Sequence, residues 1–546
     1  MTHKPMAAIL VFACLFCVAS PSIFAQNVFL PDAPEVEELR ELYAQARLAF
    51  PETSFPISRR DLHRRALELG TFPRSGNLAA EIDEYLRRLG FNDRNIVVSN
   101  DVDLRLQLFT YKTAIDNYPR GEFFERERDV DPFLALRLGF HHDAVASIYI
   151  RGDIIAEYNR GGFTNLPPST PNRPVAAEYN FVTEGYIQYF FGPMETVFGR
   201  QRIHIGPAPE TSLMVSRQIP FVDALRVKLP LGPLTMTALW ATLENRQTME
   251  EALAAREVVD GGTLGPIRGP SGDPLYDWQR NTILLSIARF EWHYGRTRAG
   301  IGGRTIIARD MNEFHLGDFF PVFSRHNGNI VPNNLSVVGD VTFLVMPGLE
   351  TYLIFGLDDM DAGKIGYGDD DIPTIGAYVA GAVYRTRVGE HRLTATAEIG
   401  VTHDLWGNFD IGEEDHRLSR AIYRMDTQGE NRAMPLTSPY GPGVIWAQTG
   451  ARLTTEGGLS AQLDLLFLNR NTEVDVYSTP YTGDARDGDH ASSFQVSLDF
   501  RQRIGRTSFL SLAPRVLFDS DGADWRMALG GGTSFGRRRT VGQLEP

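Results

Sequence analysis

From Val102 onward the chain repeats one pattern: segments of about ten residues in which apolar and polar side chains alternate with a period of two. Leu134, Leu136, Leu138 and Phe140 alternate with Ala135, Arg137, Gly139 and His141. Leu393, Ala395, Ala397, Ile399 and Val401 alternate with Thr394, Thr396, Glu398, Gly400 and Thr402. Phe494, Val496, Leu498 and Phe500 alternate with Gln495, Ser497, Asp499 and Arg501. Such segments are strands with one apolar face and one face that carries charge. Buried charge is costly inside a soluble sandwich, whereas a water-filled lumen with the apolar face toward lipid removes that cost.

The links between segments narrow the fold further. Strands are expected near 101–111, 130–141, 145–158, 177–190, 195–205, 222–230, 234–244, 278–293 and 297–309. Nine more follow near 335–346, 349–358, 374–388, 391–402, 443–455, 459–470, 491–503, 507–518 and 524–536. Links such as Gly192-Pro193, Gly232-Pro233, Pro347-Gly348 and Gly389-Glu390 are tight turns, and they alternate with long polar connections, the longest near 245–277 and 403–442. Short turns on one side and long loops on the other are the signature of an outer-membrane barrel. The fold class is therefore all-β with a small α-helical N-terminal segment: a transmembrane antiparallel barrel of about 18 strands, with 16 as the alternative. Residues 101–536 number 436, about 24 per strand, enough for a span and its share of loop.

The first 25 residues read as a secretory signal: Lys4, an apolar run from Met6 to Ala19, and a cut expected near Ala25. The two cysteines, Cys14 and Cys17, lie inside it, so the exported chain has no thiol and no disulfide. Residues 26–95 are expected to form a periplasmic three-helix segment. Val36, Leu39 and Tyr43 mark the first helix. Ser58 caps the second, which carries Leu62 and Ala66, and Asn77 caps the third, with Leu78, Ile82, Tyr85 and Leu89. The Arg59-Arg60 and Arg64-Arg65 pairs are read as a solvated face. An even strand count returns both barrel ends to the short-turn side, leaving 537–546 as a periplasmic tail. The net charge of −14 offers no general footprint for nucleic acid.

Two stretches add a family resemblance. Gly199-Arg200-Gln201, Ile205-Gly206-Pro207 and Ser212-Leu213-Met214-Val215-Ser216, followed by Glu313, Asp318, Pro321, Asn333-Asn334 and Asp358-Asp359 in that order, resemble the Wzi-type capsule assembly proteins. The resemblance implies an outer-membrane barrel, in a diderm bacterium, that helps attach or organise polysaccharide at the cell surface. It implies ligand-binding roles for Arg200, Glu313, Asp318, Asn333, Asn334, Asp358 and Asp359. Tyr440 and Tyr477 join them because sugar rings stack on aromatic faces. The expected partners are outer-membrane lipid, a surface polysaccharide and the barrel assembly machinery. No cofactor, metal or catalytic residue is expected. Glu313, His315 and Asp318 lack a preset metal geometry, Ser212, His204 and Asp223 lack a nucleophile elbow, and Asp358-Asp359 is read as hydrogen bonding to a folded-in loop. A porin-like channel for small solutes or sugars and a barrel hydrolase are the alternatives. The loop 310–334, rich in phenylalanine, is expected to fold into the mouth and pair with lumen groups such as Arg200.

Overall fold

The computed structural model describes residues 28–72, 76–91, 94–111, 131–154, 165, 182–245, 281–310, 313, 315–319, 333–359, 374–407, 420–426, 431–474, 488–505, 507–520 and 522–543. Three short strands belong to the N-terminal segment: β1 (Val28–Phe29), β2 (Ser54–Phe55) and β3 (Ile57–Ser58). The first barrel strands are β4 (Asn95–Tyr111), β5 (Leu134–His142), β6 (Ala146–Ile154), β7 (Val182–Phe191) and β8 (Met194–Gln201). After β9 (His204–Ile205) come β10 (Val222–Leu231), β11 (Leu234–Leu243), β12 (Asn281–Tyr294), β13 (Thr297–Asp310), β14 (Asn333–Met346) and β15 (Leu349–Asp359). Next are β16 (Ile375–Val388), β17 (His391–Thr402) and a loop hairpin, β18 (Ile422–Asp426) and β19 (Asn431–Pro435). The last are β20 (Val444–Thr454), β21 (Leu459–Asn471), β22 (His490–Ile504), β23 (Ser508–Asp519) and β24 (Gly522–Gln543).

Eighteen of these close one antiparallel transmembrane barrel, β24 pairing with β4 to seal it. The expected segments correspond one for one. Two ends differ. β4 starts at Asn95 and β24 runs to Gln543, so most of the expected tail is strand, because residues 95–100 give it a pairing partner beyond the last turn. The alternation sets the faces. Leu138, Leu353 and Ile399 point outward and are more than half exposed, as are Ile187 and Leu529. Neighbouring inward positions carry the charge.

The helices are α1 (Pro34–Gln45), α2 (Arg59–Leu69) and α3 (Gly76–Leu89). Proline in the first turn of α1 uses a position whose N–H needs no partner. The Ser58 side chain accepts from the Asp61 amide at the start of α2. Asn77 lies within α3 rather than capping it. Val36, Leu39, Leu62, Ala66, Ile82 and Tyr85 pack as one small core. This bundle stands in the short-turn mouth: the Ala49 amide donates to the Gly295 carbonyl at 2.9 Å, and Arg385 pairs with Glu37 at 3.0 Å. That placement corrects the reading of the arginine pairs. Arg59 and Arg65 are buried, because the far face of α2 meets the barrel wall and α3 instead of water.

The register places Leu498 outward at mid-strand and Ser497 inward beside Asp464. Leu498→Arg should cost ~2–4 kcal/mol at the bilayer midplane. Ser497→Arg gains an acidic neighbour in a wet lumen and should fold nearly normally. Heat-modifiable migration of the two refolded variants checks this; equal folding would contradict the facing.

Candidate functional site

Two chain segments enter the lumen from opposite mouths and meet. From the short-turn side, residues 49–58 follow α1 inward. From the long-loop side, residues 202–221 drop between β8 and β10. Ser54 pairs with Ile205 and Phe55 with His204, and the Gly206 amide donates to the Thr53 carbonyl at 3.0 Å. Gly206 has φ +143°, which a side chain would resist. Leu213, Met214 and Val215, each about 1% exposed, pack with inward wall residues such as Leu285, Ile306 and Val338.

Charge holds the entering segment to the wall. Lys228 lies 2.8 Å from Glu52 and 2.9 Å from Asp61, and Arg65 lies 2.8 Å from Glu52, all four buried. Arg226 pairs with Glu195 at 2.7 Å and donates to the Pro56 carbonyl at 2.8 Å. Arg289 bridges Asp340 (2.6 Å) and the Thr53 hydroxyl (2.8 Å). Burial pushes the Asp61 carboxyl up, but Lys228 and Arg64 outweigh it and hold the group well below the usual carboxylate range. Burial acts on Glu52 in the same way, and Lys228 and Arg65 bring it below its ordinary value.

A second hub fastens the long-loop segment. Glu398 accepts from the Thr211 hydroxyl, from Tyr352 at 2.8 Å, from Trp446 at 3.0 Å and from Gln448 at 2.9 Å. Sequence reasoning missed both hubs. The signal was present as charges at inward parity, but only the plug makes them buried.

The expected site residues separate into groups. Asn334 and Asp358 do come together, at 3.3 Å, with Ser336 and Arg304 beside them. Asp358 also accepts from the Gly407 amide at 2.9 Å, the loop-holding role expected of it. Asn333 and Asp359 are half-buried at the adjoining strand ends. Arg200 is a correction. It has the outward parity of Phe198, binds Asp223 through both carboxylate oxygens at 2.8 Å, and stacks 3.9 Å over Phe221. Its neighbour Gly199, at φ +125°, lets β8 approach β7 closely, since a Cβ there would sit 2.3 Å from the Gly185 carbonyl oxygen.

Asp318 accepts from Arg309 at 2.7 and 3.0 Å and from the His315 amide at 2.8 Å. Against the opposing effect of burial, these bonds bring its carboxyl below the ordinary value. The expectation for its loop also changes. The 3-10 turn Leu316–Phe319 rests on Trp240, whose indole donates to the Phe319 carbonyl at 2.6 Å. Trp240 and Arg309 alternate with lumen-facing Leu239 and Ala308, so the described part of this loop leans on the outer rim. Phe314, Phe320, Pro321, Phe323, Arg325 and His326 lie outside the described residues, as does Tyr477. Glu313 is exposed.

Tyr440 is 3% exposed, with its ring against Trp446 at 5.2 Å and its hydroxyl on Gln448 at 2.6 Å. It packs the lumen rather than offering a stacking face, because the loop that carries it folds inward. Ser212 and His204 are likewise engaged locally: the Ser212 hydroxyl donates to the Ile205 carbonyl, and the His204 ring nitrogen lies 2.9 Å from the Ala208 carbonyl.

No protein-family profile and no curated protein matches the chain. Among solved structures it is similar to Wzi of Escherichia coli, an outer membrane protein involved in group 1 capsule assembly and a carbohydrate-binding beta-barrel. The alignment has a TM-score of 0.54 and 13% identity, covering 92% of this chain and 99% of that one. Pseudomonas aeruginosa OccK3 (OpdO) aligns at TM-score 0.41 and 9% identity, over 80% of this chain and 96% of its own. At these identities the likeness is one of fold.

The Lys228 hub has a pH signature. Glu52 and Asp61 have depressed folded values, so their contribution is complete above the unfolded carboxylate values of about 4.3 and 3.9. It is lost as pH falls through the lower folded values. Lys228→Met should weaken docking of the segment by ~3–5 kcal/mol and move its acid release to higher pH. A dye on Asp83→Cys, read by anisotropy across an acid titration, should show the shift; an unchanged profile in the variant would contradict the hub.

Proposed function

We propose that this chain is an outer-membrane barrel that helps attach or organise capsular or extracellular polysaccharide at the cell surface, and that it acts by binding rather than by catalysis. The observation that carries the reading is the filled lumen. Trp446, Val444 and Leu436 are almost wholly buried against Leu213–Val215 and Tyr440, closing the long-loop half. A solute channel of the same fold needs a continuous water path, and this packing leaves little of one. The similarity in fold to Wzi, itself described as carbohydrate binding, supports the same reading.

The orientation follows from the connections: long loops to the outside, short turns and the helical segment to the periplasm. Residues that hold a glycan are then sought on the long-loop side, where Glu313 stands exposed and where Tyr477 belongs by sequence. Lipid around the apolar belt and the barrel assembly machinery complete the proposed partners.

The test has two arms. In a planar bilayer the purified protein should show no large steady conductance. Cells lacking it should shed more surface polysaccharide than cells carrying it. Steady porin-like conductance with unchanged polysaccharide retention would move the assignment to transport.

A further inference from the structure

The plug does not fill the barrel evenly. Along β10–β14 the inward side chains are sealed: Lys228, Arg289 and Arg304 are at most 1% exposed. Across β17, β20, β21 and β22 the inner wall is different. Register sets Thr394, Arg452, Gln462 and Asp499 in one row across these four strands. One row further from the short turns stand Thr396, Gly450, Asp464 and Ser497. Arg452 and Asp499 are exposed, while Gly450, Asp464 and Ser497 are half-buried. In the next row Leu466 and Gln495 are buried, and beyond them Trp446 is fully so. Exposure therefore falls steadily with distance from the short-turn mouth and ends inside the barrel. The space is a cavity of about 240 Å³, walled by β17, β20 and β21 and bounded on its other side by Glu37 and Glu41 of α1 and by Pro209 and Glu210.

We infer that this is a blind binding pocket, entered from the short-turn mouth, for the end of an acidic saccharide chain. The inference rests on the proposed function only for the source of that chain; the chemistry comes from the wall. Arg452 donates to the neutral side chain of Gln462 at 2.8 Å, and among the described residues no carboxylate lies within ion-pair distance of it. An arginine has five N–H donors in a fixed fork that matches a carboxylate. A guanidinium with donors to spare, beside the hydroxyls of Thr394 and Thr396 that line the same cavity, suits a ligand that carries both a carboxylate and hydroxyl groups. Asp464 accepts from Gln462 at 2.6 Å. Gly450 keeps the floor low: a Cβ there would come within 2.6 Å of the Asp464 carboxylate and 3.0 Å of the Thr396 hydroxyl. The volume is below the ~300–1,000 Å³ of usual ligand pockets, which favours a chain end over a long run of sugars.

Titration calorimetry on the full refolded chain tests the pocket, with a uronic-acid trimer as probe and maltotriose as its neutral counterpart. The uronate should bind at least tenfold more tightly than maltotriose. Arg452→Glu should weaken uronate binding at least tenfold while keeping wild-type heat-modifiable migration, and Arg452→Lys should retain part of it. A thiol at Thr454→Cys should react with an impermeant maleimide from the short-turn side and be slowed by the uronate. Uronate binding unchanged in Arg452→Glu would overturn the pocket and leave the proposed function standing, since the saccharide would then sit elsewhere. Absence of uronate binding to the wild-type chain would also overturn the pocket, and polysaccharide retention by cells would then judge the function separately. Labelling of Thr454→Cys from the long-loop side would overturn the blind geometry.

Discussion

The ammonium of Lys228, sealed inside the barrel between Glu52 and Asp61, sets the terms for the rest of the molecule. Taking an ion out of water costs several kcal/mol, and leaving one unanswered costs more than any single apolar contact returns. The inner wall of β10–β14 carries Arg226, Lys228, Arg289, Arg298 and Arg304, all nearly inaccessible to water. Much of what answers them comes from outside the wall: the carboxylates of Glu52 and Asp61, the carbonyls of Phe50 and Pro56, and the carbonyl of Leu213. Wall and plug are thus mutually required. A barrel without the N-terminal segment would need water at Arg226, Lys228 and Arg298, and the segment without the barrel would expose an acidic face beside a small apolar core.

This dependence explains why the lumen is closed on one side and open on the other. The cations that demand partners are concentrated on β10–β14, and the plug is drawn there. The short-turn half of the opposite wall, β20–β22, mixes threonine, serine, glutamine and glycine with Arg452, Asp464, Asp499 and Arg501, which are exposed or half-buried and tolerate water. The long-loop segment reinforces the asymmetry through Thr211 and Glu398, which fasten it across the barrel. The interior is thus filled toward the long loops and along β10–β14, and wet along the short-turn end of β20 and β21.

Much of this was legible in the sequence, and the limits have a physical cause. Period-two alternation and turn chemistry report on neighbouring residues, so all eighteen strands could be placed, and the α2 cap at Ser58 could be read directly. The pairing of β4 with β24 beyond residue 536 joins opposite ends of the barrel sequence, and no local pattern reports it. Arg65 looks like any surface arginine until Thr235 and Glu52 surround it. Arg200 shows the same limit at the site: its motif was visible, but its partner Asp223 comes from another strand. Inward parity was legible, whereas burial depends on what fills the lumen.

The central claim is that segments from the two mouths join inside the barrel, and a pair of cysteines tests it directly. Ser54 and Ile205 are register partners, and antiparallel partners bring Cα atoms to about 4.5–5.5 Å, within disulfide range. In the Ser54→Cys, Ile205→Cys double variant, mild oxidation of the folded protein should yield an intramolecular disulfide in nearly every molecule, seen as a mobility difference between oxidised and reduced samples. Two freely titratable thiols after oxidation of a correctly folded barrel would show that the segments do not meet, and the account of a lumen closed from both ends would fall with them.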